Sequence, residues 1–134
     1  VHSAIKKNVG KLGVILSLDT KKSINEIQEF GKQLTMHIAA TAPLEIDKGD
    51  LNQELLKKEN EIIVEELKNS GKDSKIIDKI AKGKLNKFIN DNTLLNQDWI
   101  MDPKKKVKDI LNEVAGSEKI IIKKFTRFKV GEGV

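Results

Sequence analysis

Short apolar stretches near both ends of the chain have the character of β-strands. Residues 1–5 and the aliphatic run 11–18 are predicted to form a hairpin across residues 6–10. Gly13 interrupts the second run, which indicates a close backbone approach or a bulge there. Residues 119–130 alternate as a third strand does, and the alternate set that includes Ile120 is predicted to face the core. The members of that set are Ile120, Ile122, Lys124, Thr126, Phe128 and Val130.

Between these strands, apolar residues recur every three or four positions, as on the buried face of a helix. Ser23 and Glu26 form a Ser-x-x-Glu capping box, which predicts that a helix begins there. Pro43 ends this helix by the preceding residue at the latest. Its predicted inward stripe consists of Ile24, Ile27, Gly31, Leu34 and Ile38.

A helical hairpin is predicted over residues 50–91. Asp50 is predicted to cap its first helix, which runs to about Lys68, and residues 69–72 carry the turn signal Asn-Ser-Gly-Lys. In the next helix, Gly83 is expected to weaken the structure and to separate two helical pieces. The predicted inner side of that helix consists of Ile76, Ile77, Ile80 and Ala81.

The rest of the chain completes an α+β fold. Residues 93–103 are irregular and apolar, residues 105–114 are predicted as a short helix, and Gly116 is placed to end that helix. The predicted architecture is a small antiparallel sheet of about three strands covered by helices, with an antiparallel helical hairpin inserted between its strands.

A mildly apolar patch is predicted on the outer side of the first helix. Met36, His37 and Ala40 lie away from the core stripe, where charged residues would be expected. This patch is either a partner site or a face covered by another segment of the domain, and the pattern favours neither. By itself, a histidine such as His37 is more often structural than functional.

The apolar loop around Trp99 raises the same question. Trp99 is predicted to be buried, whereas Ile100 and Met101 are better candidates for exposure.

Composition excludes several kinds of function. The chain has no cysteine, which excludes disulfides and thiolate chemistry, and its two histidines match no metal-binding motif. No catalytic or phosphate-binding motif and no membrane-spanning run is present, so neither an enzyme nor a cofactor site is indicated. The net charge is +5, with a basic cluster at residues 104–108. A solvated helix start is favoured there over a nucleic-acid patch, because no aromatic residues interleave with the lysines.

Several short motifs, in order and with the right spacing, resemble the second core module of the elongation factor Ts family. The motifs are Lys11-Leu-Gly-Val14, Met36-His-Ile-Ala-Ala40, Ala42-Pro43, Ile80-Ala-Lys-Gly-Lys84, Leu94-Leu-Asn-Gln97, Asp102-Pro103 and Phe128-Lys-Val-Gly-Glu-Gly133. The resemblance implies that residues 1–134 form a single core module, with residues 50–91 as the family's coiled-coil or dimerisation element.

The resemblance also implies a function. Members of this family act without covalent chemistry, as guanine nucleotide exchange factors that release GDP from elongation factor Tu. His37 aligns with a family histidine in the contact with factor Tu, and Met36 and Ala40 adjoin it. Ile100 and Met101 align with apolar residues near that contact. The implied setting is the bacterial cytoplasm or an organellar matrix, and a homodimer through the sheet or the helical hairpin is a further expectation.

The chain also departs from the family pattern. The Thr-Asp-Phe-Val motif that disturbs the magnesium site of factor Tu is absent, and the chain begins with Val1. We therefore expect a fragment that binds factor Tu weakly and exchanges nucleotide poorly. The alternatives are a basic RNA- or ribosome-associated module and an oligomerisation module.

Overall fold

The computed structural model describes residues 2–9 and 12–129, and it confirms the predicted α+β fold. The strands are β1 (His2–Val9), β2 (Leu12–Thr20), β3 (Asp98–Trp99), β4 (Asp102–Lys106) and β5 (Ile120–Lys129). The α-helices are α1 (Ile24–Thr41), α2 (Gln53–Lys68), α3 (Ser74–Asn92) and α4 (Val107–Ala115). One antiparallel sheet has the order β1-β2-β5, and β3 pairs with β4 in a second, smaller one.

The first two strands form the predicted hairpin, but they are longer than the sequence suggested. Residues 6–9 were expected in the connection and instead continue β1, so that Val9 pairs with Leu12. Three residues of the predicted hairpin lie outside the described residues, namely Val1, Gly10 and Lys11. Antiparallel pairing over the full length accounts for the extension, since each added pair contributes ladder hydrogen bonds.

A β-bulge in β5 overturns half of the alternation predicted for this strand. Leu18 pairs with Ile122 while the adjacent Ser17 pairs with Lys124, so the register shifts by one residue at Lys123. The extra residue reverses the faces beyond it, and Phe125 lies opposite the buried Leu16. Ile120 and Ile122 are buried as predicted. Lys124, Thr126 and Phe128, which were expected to face the core, instead belong to the opposite face, and Val130 lies outside the described residues.

At Gly13 the sequence indicated a close backbone approach or a bulge, whereas the structure places an aromatic ring against this glycine. Gly13 pairs directly with Phe128 in β5. A Cβ atom added to Gly13 would lie 2.4 Å from the ring atom Cζ of Phe128. The glycine therefore makes room for an aromatic ring that lies across the strand, as cross-strand glycine–aromatic pairs do.

Helix α1 covers the inner face of the large sheet. Ser23 caps it through the predicted box with Glu26, and the helix ends at Ala42, whose backbone is left-handed (φ 47°, ψ 56°). Arg127 of β5 donates through Nε to the carbonyl of Ala39, 3.4 Å away in the last helical turn. The buried core between helices and sheet includes Val14, Leu16, Leu18, Ile27, Phe30, Leu34, Ile38, Leu94, Trp99, Val107, Leu111, Ile120 and Ile122.

Helices α2 and α3 form the predicted hairpin around a small core of their own. That core consists of Ile63, Leu67, Ile77 and Ala81. The cap of α2 is Asn52 and not Asp50, because Asp50 is engaged in a short 3₁₀ turn that Asp47 caps. Gly83 does not divide α3, which runs unbroken through it. Ile76, predicted to face inward, is 49% exposed, because the neighbouring helix covers only one narrow stripe of α3.

Backbone hydrogen bonds fix the base of this hairpin to the main body. The amide of Leu44 donates to the carbonyl of Asn92, and the amide of Leu94 donates to Glu45. Helix α4 begins at Val107 and not at residue 105, because residues 102–106 are drawn into β4. Gly116 ends α4 with a positive φ of 56°, as its position in the sequence predicted.

Candidate protein-binding site

His37 is completely buried, which corrects its predicted place in an outer patch. Its side chain is 0% exposed, whereas Met36 is 42% exposed and Ala40 is also exposed. The helical wheel placed His37 away from the core stripe of α1. The structure covers that side of the helix with residues 97–100, some 60 positions later in the chain. The sequence left open whether this patch is a partner site or a face covered by another segment of the domain. For His37, the structure shows that another segment covers it.

Both ring nitrogens of His37 are hydrogen-bonded. The backbone amide of Ile100 donates to Nδ1 over 3.3 Å. Because Nδ1 accepts this bond, the proton of the neutral ring lies on Nε2. Nε2 then donates to Oε1 of Gln97, 2.8 Å away. The two partners fix both the tautomer and the orientation of the imidazole.

The ring of His37 also stacks on Trp99. Their centroids are 5.2 Å apart and their planes differ by 18°. Phe30, seven residues before His37 on the same side of α1, also lies near Trp99, with ring centroids 6.3 Å apart. Trp99 is buried, as predicted. It therefore covers His37 and packs residues 97–100 against α1.

Gln97 connects His37 to three further parts of the fold. Its amide Nε2 donates to the carbonyl of Asp91 over 2.7 Å, at the end of α3. Its backbone carbonyl accepts from the amide of Val107 at the start of α4. The hydroxyl of Thr41 lies 2.9 Å from Oε1 of Gln97 and 2.8 Å from the carbonyl of His37, and its single hydrogen can serve either acceptor. Gln97 thus joins three helices, α1 and α3 through its side chain and α4 through its backbone carbonyl.

The buried environment keeps His37 neutral. Burial lowers the pKa of His37 from its ordinary value of 6.5, and the hydrogen bond to Gln97 offsets only part of this effect. A neutral imidazole has one donor and one acceptor, which matches the two partners present. A protonated ring would place a second N–H against the amide of Ile100.

Ile100 and Met101 form the tip of the β3–β4 hairpin and are exposed, as the sequence predicted. Trp99 pairs with Asp102, which leaves these two residues as the connection. Their side chains are 39% and 44% exposed. The tip of this hairpin therefore presents two adjacent apolar side chains to solvent.

Among the predicted site residues, the structure joins the Ile100–Met101 turn to His37. Met36 precedes His37 in α1, Ala40 lies one helical turn after Met36, and the Ile100–Met101 turn is hydrogen-bonded to His37. Sequence reasoning did not assign Gln97 or Thr41 to the site, although Gln97 stands in the motif Leu94-Leu-Asn-Gln97 that carries the family resemblance. Sixty residues separate His37 from Gln97, and no periodic pattern in one sequence connects positions so far apart.

The described residues give little support for a nucleic-acid patch, a metal site or a membrane-spanning helix. Two lysines of the basic cluster are paired, Lys105 with Glu113 and Lys106 with Asp98, which reduces the positive charge available to a phosphate backbone. Within residues 2–9 and 12–129, no group of three or more acidic, histidine or cysteine side chains could hold a metal ion. No helix in the described ranges is both long and apolar enough to cross a bilayer.

The family model and the similar proteins all identify the same family. The family model described as "Elongation factor TS" matches residues 1–132. An elongation factor Ts of Caldanaerobacter subterraneus subsp. tengcongensis is 42% identical over 131 residues, which cover 93% of this chain and 66% of that protein. One from Thermoanaerobacter sp. is 39% identical over 131 residues, covering 93% and 64%. One from Erythrobacter litoralis is 36% identical over 137 residues, covering 100% and 44%. The chain therefore spans about half to two thirds of the length of these relatives.

Proposed function

Because the chain belongs to the elongation factor Ts family, we propose that it supplies a protein-binding surface for nucleotide exchange on elongation factor Tu. An exchange factor acts by binding the nucleotide-free state of its partner more tightly than the GDP-bound state. By linkage, the exchange factor weakens GDP binding by the same factor by which GDP weakens the exchange factor's own binding. This activity needs a complementary surface and no covalent chemistry. Translation elongation of this kind takes place in the bacterial cytoplasm or an organellar matrix.

The observation that carries the proposal is the exposed apolar turn above a rigid, buried network. Ile100 and Met101 face solvent, while the backbone beneath them is bonded to His37. Met36 and Ala40 of α1 are exposed as well. Large apolar side chains held in place before binding favour affinity, because little conformational freedom is lost on association. We propose that these four side chains contact factor Tu, and that His37 belongs to the same site beneath them.

Binding to purified bacterial elongation factor Tu tests the proposal. The chain would be titrated against the GDP-bound and the nucleotide-free protein by biolayer interferometry, and release of a fluorescent GDP analogue would be followed in parallel. We expect tighter binding to the nucleotide-free form. Because the Thr-Asp-Phe-Val motif is absent from these 134 residues, we expect only slow GDP release.

A double substitution and a matched control make the test specific. Ile100→Ser with Met101→Ser should weaken binding at least about tenfold, since each removes an apolar side chain from the contact. Ile24, which was wrongly predicted to face the core, is 60% exposed at the opposite end of α1, and Ile24→Ser should leave binding unchanged. Equal affinities of wild type and double variant, or no binding of folded wild-type chain at all, would contradict the proposal.

A second candidate function, self-association through the α2–α3 hairpin, has its own supporting observation. Ile62 of α2 is 53% exposed and Ile76 of α3 is 49% exposed. Helix α2 carries five glutamates and three lysines, whereas α3 carries five lysines and two aspartates. These opposite net charges suit a two-fold arrangement in which α2 of one copy lies against α3 of the other. For this reason we favour the hairpin over the sheet as the contact between copies.

Sedimentation equilibrium over a wide range of protein concentrations tests this second function. Self-association should produce a mass that rises with concentration towards twice 15.0 kDa. Ile62→Ser should shift the transition to higher concentration, and Ile24→Ser should not. A constant monomer mass into the high micromolar range would exclude the hairpin as an interface of useful strength.

A further inference from the structure

We propose that His37 is a positioning residue, which acts on the binding surface by holding the backbone of the Ile100–Met101 turn. This inference rests on the proposed function, because it assigns a role within the same site. It differs from the expectation that His37 itself touches the partner. In the structure the ring has no exposed surface and both of its nitrogens are occupied. Contact with a partner would require the ring to leave Gln97 and Trp99.

The Ile100–Met101 turn needs such support because its own sequence and strands hold it weakly. Two-residue hairpins favour turn types with a positive φ, which Asn and Gly adopt readily. Neither Ile100 nor Met101 has a positive φ, and neither residue type favours one. The turn is therefore not one of the types whose twist matches the flanking strands.

The strands on either side of the Ile100–Met101 turn contribute little to holding it in place. Strand β3 consists of two residues, Asp98 and Trp99. Trp99 pairs with Asp102 but Asp98 pairs with Lys106, so the register shifts within this short strand. A ladder with one regular pair beside the turn cannot fix the direction of two exposed apolar side chains. The amide of Ile100, the first residue of the turn, instead finds its acceptor in α1.

The acceptor is itself held rigidly. Nε2 of His37 is bonded to Gln97, and its ring is stacked on Trp99, so that the imidazole cannot rotate without breaking both contacts. Gln97 is bonded in turn to the ends of α3 and α4. The position of the turn is thereby set by the three helices that the network joins. A buried, doubly bonded ring is suited to orientation more than to recognition.

Two substitutions separate positioning from simple packing. In His37→Asn, the side-chain Oδ1 can take the place of Nδ1 and accept from the amide of Ile100. His37→Leu fills similar space but offers no acceptor. We expect His37→Leu to weaken binding to nucleotide-free elongation factor Tu by about fivefold to tenfold, corresponding to one lost hydrogen bond, and His37→Asn to recover most of the affinity.

The backbone amide of Ile100 provides a readout that does not depend on the partner. In ¹H–¹⁵N spectra of the free chain, its resonance should shift and exchange faster with solvent in His37→Leu than in wild type, and should return towards the wild-type value in His37→Asn. A fully buried ring that merely fills space would not produce recovery with asparagine. An unchanged Ile100 amide in folded His37→Leu would overturn the proposal whatever the binding result.

The outcomes also distinguish this inference from the proposed function. If folded wild-type chain fails to bind factor Tu while the Ile100 amide responds as expected, the function is wrong and the positioning role stands. If wild type binds and both His37 variants lose affinity equally with the amide unmoved, His37 contacts the partner directly and the inference is wrong. Should His37→Leu not fold, Ile100→Pro removes the same hydrogen-bond donor from the turn without changing the histidine. The affinity of Ile100→Pro for factor Tu should then fall below that of Ile100→Ala. Equal affinities of these two variants would count against the inference.

Discussion

Replacing Gln97 by leucine should destabilise the fold, because it removes the partner of a completely buried donor. In the wild type, Oε1 of Gln97 accepts from Nε2 of His37 over 2.8 Å, in a position without solvent. Leucine has a similar volume, so the packing is largely preserved while the hydrogen bond is lost. The imidazole N–H then remains buried and unpaired, unless the ring changes its tautomer and gives up the bond from Ile100.

The expected loss of stability in Gln97→Leu follows from the polar groups that the substitution leaves without a partner. A buried donor without an acceptor costs about 1–3 kcal/mol. The carbonyl of Asp91 also loses a partner, but Asp91 is exposed and its carbonyl can bind water. The hydroxyl of Thr41 keeps its alternative acceptor, the carbonyl of His37. We therefore expect a loss of about 2 kcal/mol in the free energy of unfolding, or about 7 °C in the melting temperature of a domain of this size.

Urea unfolding followed by far-UV circular dichroism measures this loss. The matched control is Gln28→Leu, which makes the same replacement at an exposed position of α1 and should change stability by less than about 0.5 kcal/mol. If Gln97→Leu unfolds at the same urea concentration as Gln28→Leu, the hydrogen bond between Gln97 and His37 does not stabilise the fold.

Four further predictions concern pH, helix propensity, packing and backbone strain. Because the pKa of His37 is lowered in the folded chain, the unfolded chain binds its proton first as the pH falls. Stability should thus be fully present above pH about 6.5 and fall below it, and urea unfolding of His37→Asn should lack this part of the decline. Gly83→Ala should raise the free energy of unfolding by about 0.5–1 kcal/mol, because α3 is continuous there and nothing lies within 4 Å of the added methyl group; a lower value would imply a break in the helix. Gly13→Ala should destabilise by about 1–3 kcal/mol by displacing the ring of Phe128, and a double-mutant cycle with Phe128→Ala should recover much of this loss. Ala42→Gly should raise the melting temperature, since it relieves about 1 kcal/mol of left-handed backbone strain; an unchanged or lower value would argue against strain at this position.

Local rules predicted the parts of the fold that depend on neighbouring residues. The capping box of Ser23 and Glu26, the end of α1 before Pro43 and the glycine that ends α4 were all found where the sequence placed them. Each depends on interactions within one turn of helix. The cap of α2 was missed because Asp50 and Asn52 are both good capping residues, and the short turn formed with Asp47 decides between them.

The sequence by itself also determined that Trp99 is buried and that Ile100 and Met101 are exposed, since a lone indole in an apolar loop generally fills a core. Its resemblance to the elongation factor Ts family identified the family that the comparisons show. Only the tertiary structure decided where His37 lies. Helical periodicity describes one helix in isolation, and whether an outer face meets water depends on which distant segment packs on it. The tertiary structure likewise decided the β-bulge at Lys123. One extra residue in β5 turns every side chain beyond it to the opposite face of the sheet, and strand pairing is not visible in a single sequence.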